Sequence, residues 1–164
     1  MKLASLYDLF VDELKDLYNA EIQLTKALPK LAKAASSEDL RTAFEDHLTE
    51  TENHVQRLET IFKQLEANPK GKKCKAMVGL IEKGKEVLEE YAENAVKDAA
   101  LIAAAQRAEH YEIAGYGTVR TYAQLLGFDE AVNLLQQTLD EEAAADWKLT
   151  LLAQNINVEA QSPA

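Results

Sequence analysis

Glu109 and Glu112 stand one helical turn apart in "QRAEHYEIAGYG" (residues 106–117), in the middle of a long run of helix-forming residues. On a solvated helix such a pair is ordinary. On a helix packed in a bundle it is not, because a buried carboxylate costs several kcal/mol unless something pairs with it. Glu21, Glu50, Glu142 and Asp146 raise the same question elsewhere in the chain, with His47 and His54 beside them. Carboxylate oxygens with a little imidazole form a ligand set for iron or manganese, and no second cysteine is present to build a thiolate-rich zinc site.

The elements that must position these residues are helices. The chain of 164 residues has only 6 Gly and 3 Pro, and no Val/Ile/Thr-rich alternating stretch suggests a strand. Pro29 is expected to interrupt the first helix late, and Ser36 or Ser37 in "SSEDL" offers an N-cap for the second. "NPKGKK" ends the second segment, and a short amphipathic piece follows at about 75–91. A third long helix ends at Gly127, and the last spans about 129–155. This predicts one all-α domain over 1–158, with a frayed tail at 159–164. Four long helices would form a bundle, with the short fifth helix in the connection between long helices two and three. That connection is long enough to cross the bundle's end, whereas the other joints are tight and imply antiparallel neighbours.

Apolar seams show where the acids fall. Helix one runs Phe10, Leu14, Leu17, then Leu24, Leu28 and Leu31, and the missing step is Glu21. On helix two, Leu40, Phe44, Leu58, Ile61 and Leu65 bracket His47, Thr51 and His54, with Glu50 a turn from both histidines. Helix three passes from Leu101 and Ala105 through Glu109 and Glu112 to Tyr116, Val119 and Ala123. Helix four carries Glu142 and Asp146 between Leu139 and Leu149. A weak internal repeat relates the halves: "AEI" at 20–22 parallels "YEI" at 111–113, and Glu50 with His54 parallels Glu142 with Asp146.

Any one of these acids alone reads as a rim residue, and a lone bundle histidine is usually satisfied by packing. Acid at mid-seam on all four long helices is harder to produce by accident. Six clustered carboxylates cannot all ionise in a dry core, and two divalent cations would compensate them. Tyr18 and Tyr111 lie within a turn of Glu21 and Glu112 and are candidates to hydrogen-bond them. Trp147 reads as packing, and His110 lies off the seam.

The net charge of -10 excludes a basic stripe for nucleic acid. No apolar run approaches a membrane span, and the N-terminus meets acids too early for a signal peptide. The single Cys74, in the Lys-rich "KGKKCK", reads as part of a solvated loop in a reducing compartment, and the expected location is cytoplasmic.

"DAALIAAAQRAEHYEIAGYGT", "CKAMVGLIEKG", "YNAEIQLTKALPKLAKA" and "TLDEEAAADWKLT" resemble the YciF-like stress-protein family of the ferritin-like superfamily, over nearly the whole chain. The resemblance implies a ferritin-like four-helix bundle with an added helix, a homodimer, and a rubrerythrin-like dinuclear metal site. It places the helix-one ligand on Glu21, the helix-three pair on Glu109 and Glu112, and the helix-two and helix-four glutamates on Glu50 and Glu142. The usual Glu-x-x-His is absent, since Asn53 follows Glu50 and Ala145 follows Glu142 at that spacing. His47, His54 and Asp146 are the substitutes, with His47 preferred because it lies in the family-like "HLTET" segment. The expected cofactor is two iron ions, with manganese or zinc as alternatives. Two functions follow: oxygen- or peroxide-dependent iron oxidation, with an external electron donor for any complete cycle, or a non-catalytic bundle holding a passive ion. Iron storage would need a hollow shell.

Overall fold

A computed structural model describes residues 3–161, which form five helices: α1 (Leu6–Ala34), α2 (Glu38–Gln64), α3 (Lys75–Glu89), α4 (Asn94–Leu126) and α5 (Asp129–Gln161). Ser5 caps α1, its hydroxyl accepting from the Asp8 amide at 3.1 Å. Of the two candidate serines, Ser37 caps α2, accepting from the Leu40 amide at 3.3 Å. Gly127 ends α4 in the left-handed region at φ 77°.

Two boundaries differ from expectation. Pro29 lies inside α1, which continues to Ala34. Its ring sits on the exposed face, where one missing amide bond is tolerated by a long helix held through its other side. At the other end, α5 continues to Gln161, so residues 159–161 of the expected tail are its last turn. Residues 162–164 lie outside the described residues.

Four long helices pack around a square, with α1 beside α2 and α4, and α5 beside α2 and α4. The apolar residues form two layers. Phe10, Leu14 and Leu17 meet Leu58, Phe62, Val119 and Leu135 in one. Leu24, Leu28, Phe44, Leu101 and Leu149 form the other. Each layer joins the start of one helix to the end of its neighbour, so neighbours run antiparallel.

The connection between α2 and α4 must therefore travel the length of the bundle instead of crossing its end. It climbs beside α1: Lys72 pairs with Asp12, Asn19 accepts from the Cys74 amide at 2.8 Å, and α3 then lies on α1 and α4. The α1–α2 turn is fixed from across the bundle, where the buried Asp98 carboxylate of α4 accepts from the amides of Ser36 and Ser37, each at 2.8 Å. Gly115 sets the approach of α4 to α1, because a Cβ there would stand 2.7 Å from Leu17 Cδ2.

Candidate metal centre

Between the two apolar layers the seam positions turn polar. Glu21 of α1, His54 of α2, and Glu112 and Glu142 of α4 and α5 are fully buried, and His47 and Glu109 nearly so. They form two groups that share Glu142: His47, Glu109, Glu112 and Glu142, then Glu21, His54 and Glu142. In each group, one ligand atom per residue lies within 4.8 Å of the others. His47 Nε2 faces Glu109 at 3.2 Å and Glu142 at 3.7 Å. His54 Nδ1 faces Glu142 at 3.0 Å and Glu21 at 3.3 Å. Each histidine thus directs one nitrogen into its own group.

The other ring nitrogens are held from outside. His47 Nδ1 bonds Glu50 at 3.1 Å, and His54 Nε2 bonds Glu141 at 2.8 Å. Arg57 donates to both Glu141 oxygens, at 2.7 and 2.8 Å, and fixes that carboxylate. Tyr116 donates its hydroxyl proton to Glu21. Outer partners of this kind set the tautomer and ring orientation of a ligating histidine.

Burial and close carboxylates shift protonation within the cluster. Burial, then Glu142, Glu21 and Glu109, push the Glu112 carboxyl well above the usual range. Burial and Glu109 do the same to Glu142, against the pull of His47. Burial opposes charge on His47, but Glu109, Glu50 and Glu142 outweigh it and raise its pKa well above the ordinary value. His54 is also raised, burial being outweighed by Glu21 and Glu141. Burial works against ionisation of Glu109, yet His47 keeps its pKa below the usual value.

The hydrogen bonding supplies the test of fit. Among the described residues, both oxygens of Glu112 and of Glu142 lack a hydrogen-bond partner, as do Glu21 Oε2, Glu109 Oε2, His47 Nε2 and His54 Nδ1. Some of these atoms approach within 3.0–3.3 Å, but not in hydrogen-bond geometry. Buried polar groups are nearly always satisfied. Orphans converging from four helices fit cations held between them, and the two groups are consistent with a dinuclear site. A cavity of about 380 Å³, lined in part by His47, Glu50, Glu109 and Lys148, reaches the first group from between α2 and α5.

Residues 5–161 match the family described as a domain of unknown function, DUF892. The sequence is 50% identical to Protein YciF of Escherichia coli K12 over 167 residues, covering 100% of both chains. The chain belongs to the YciF family. The E. coli stress protein YciF has a crystal structure that superposes with a TM-score of 0.91, covering 93% of this chain and 97% of that one at 50% identity. YcfI from Rhodopseudomonas palustris, a proposed structural protein, gives 0.88 at 44% identity, covering 91% and 95%. A ferritin-like, di-iron-carboxylate protein from Bacillus anthracis gives 0.71 at 17% identity, covering 92% and 99%. The fold is therefore the all-α ferritin-like bundle with a short helix between the second and third long helices.

Within this YciF-family bundle, several sequence expectations need correction. Glu50 does not join the buried cluster: its side chain is 41% exposed and reaches the site only through His47. Thr51, fully buried, takes the seam step, and Glu50 is rotated off it to the rim. The repeat between Glu50 and Glu142 is thus broken. Asp146 turns aside to His110, at 3.2 Å, and stays outside both groups. Tyr18 donates to Glu59 and Tyr111 to Asp16, so neither bonds the cluster. Cys74 is no solvated-loop thiol. It is buried as the N-cap of α3, 3.2 Å from the Tyr111 hydroxyl, and burial first, then Asp16, raises its pKa.

Sequence reasoning missed Glu141, Arg57 and the bonding role of Tyr116. Arg57 lies one turn beyond His54 and Glu141 directly precedes Glu142, which is the only signal available. Both sit on helix flanks, so a seam analysis passes over them.

Proposed function

We propose that this chain is a dinuclear metal-carboxylate protein that binds two iron ions and catalyses oxygen- or peroxide-dependent oxidation of iron(II). The observation that carries this reading is the set of buried, unpartnered carboxylate and imidazole atoms at the bundle centre. With both histidines neutral, the four buried glutamates are balanced by two divalent cations. Oxygen-rich ligands with one imidazole per group suit iron or manganese better than a sulfur-seeking metal. Glu142 would serve both groups, with Glu109 and Glu112 holding metal on the His47 side and Glu21 on the His54 side. Tyr116 and Glu141 would hold Glu21 and His54 in orientation. The bound pair would supply the electrons passed to the oxidant, and the open cavity beside His47 gives that oxidant and incoming cations a way in.

The description of E. coli YciF as a stress protein, and of the B. anthracis neighbour as di-iron, supports a stress-related role of this kind. A homodimer, a cytoplasmic location and an external electron donor complete the reading. No described helix is long and apolar enough to cross a membrane. The alternative is a non-catalytic bundle with a passive ion, to which the description of YcfI as a structural protein lends support.

Metal analysis of protein purified without chelator, followed by anaerobic iron(II) loading and exposure to oxygen or peroxide, tests the proposal. Two irons per chain and their rapid oxidation are expected, both lost in Glu142→Ala. Stoichiometric zinc with no oxidation after iron exchange would favour the passive bundle.

A further inference from the structure

The short helix α3 lies on α1 and α4 without fully burying its apolar face. Its apolar residues Leu80, Ile81, Val87 and Leu88 are only partly buried. Between α1, α3 and α4 lies a cleft of about 230 Å³, walled by Leu24, Leu28, Leu31, Leu80 and Ile81 and reaching Glu109 at its inner end. Gly84 of α3 is buried in this wall, yet a Cβ added there would meet no atom within 4 Å. A glycine inside a helix costs stability relative to alanine. Here it also leaves open the space that an ordinary side chain would fill.

The mouth of the cleft is cationic. Lys26, Lys30 and Lys85 line it and are exposed. Among the described residues none of the three makes an ion pair, so each is free to meet an anion. In a chain of net charge -10, three lysines around an apolar cleft place positive charge at its rim. Apolar walls with positive groups at the rim complement a molecule with an aliphatic tail and an anionic head.

We propose that this cleft binds a single-chain aliphatic carboxylate, its tail between α1, α3 and α4 and its head on Lys26, Lys30 and Lys85. The site does not depend on the metal reading, although its inner end abuts Glu109 and so places the tail against the wall of the candidate metal centre.

Calorimetric titration of the full chain with dodecanoate, and in parallel with dodecanol and dodecyltrimethylammonium below their aggregation concentrations, tests this. One dodecanoate per chain is expected, with the cationic amphiphile at least about tenfold weaker. Replacing all three lysines by glutamine should weaken dodecanoate by roughly tenfold. Gly84→Leu should abolish binding while metal content and helical circular dichroism stay as in the parent. Gly84→Ala, which adds one methyl and favours helix, guards against a folding failure and should weaken binding without lowering the melting temperature. No dodecanoate binding, equal binding of the cationic amphiphile, or full affinity in Gly84→Leu would overturn the proposal. It also fails if the cleft is covered by a second copy, shown in sedimentation by a dimer that dodecanoate does not disturb and Gly84→Leu dissociates.

Discussion

Glu142 belongs to both ligand groups, whereas Glu50 belongs to neither and touches the site only through a histidine. Their substitutions should therefore separate cleanly. Glu142→Gln is expected to cut bound metal at both positions, and Glu50→Gln to leave stoichiometry unchanged, measured by elemental analysis after loading. Equal loss in the two variants would place Glu50 among the ligands after all. Glu141 acts one shell further out, as the acceptor that orients His54 while Arg57 keeps its carboxyl below the usual range. Glu141→Gln should weaken metal binding by roughly 10- to 100-fold, the range seen when such partners are removed. Competition with a chelator of known affinity would read this shift. An unchanged affinity would mean that packing alone orients His54.

The helices hold these residues at one depth through contacts far from the site. Asp98 is buried and ties α4 to the α1–α2 turn by two amide bonds. Asp98→Ala leaves both amides without their acceptor, and a loss of about 1.5–3 kcal/mol is expected in denaturant unfolding. Gly115 governs α1–α4 spacing by the opposite means, an absent side chain. Gly115→Val would press methyls onto Leu17, which is itself only 2% exposed and has little room to move. The expected destabilisation is about 1–3 kcal/mol, although glycine is the poorer helix former. A stabilised variant would show that α1 and α4 can separate without cost. The short helix α3 is fixed mainly at its start, where Cys74 caps it and Met77 is buried, and its partly buried later turns leave the cleft open.

Across the whole molecule, the buried charges couple stability to pH and, on the proposed function, to metal. In the metal-free protein, Glu112 and Glu142 keep their protons above the ordinary value of 4.5, and His47 and His54 above 6.5. The folded state binds more protons than the unfolded chain in those windows, so the stability from these groups is lost as pH rises through their folded pKa values. Glu109 and Glu141 are lowered below 4.5, and their contribution is lost as pH falls through their folded values. Metal-free protein should thus melt highest at mildly acidic pH and progressively lower toward alkaline pH. Bound divalent ions replace the protons, so the gap in melting temperature between loaded and metal-free protein should be small near pH 5 and wide near pH 8, roughly. Calorimetric scans of both forms across that range check it. A metal-free profile that does not fall with rising pH would contradict protonation of the buried acids.

Five helices, their order and the polar break in each seam were legible in the sequence, because helical periodicity and caps are local properties. Glu21, Glu109, Glu112 and Glu142 were read onto the core face this way, each sitting where an apolar step was due, and all four are buried. Glu50 and Asp146, grouped with them, lie outside the buried cluster. A helical turn offers two neighbouring positions near any seam, and only the partner helices decide which one faces inward. On α2 they bury His47, Thr51 and His54, the steps the seam had named, and leave Glu50 at the rim. Tyr18 and Tyr111 lay close in sequence to the acids, but Tyr116 bonds Glu21 because α4 runs antiparallel to α1. The Arg57–Glu141–His54 chain and the burial of Cys74 likewise join residues from different helices. Spacing along one helix fixes which residues share a face. Which atoms meet across faces is set by the depth, rotation and separation of helices, and those emerge only when the whole core packs.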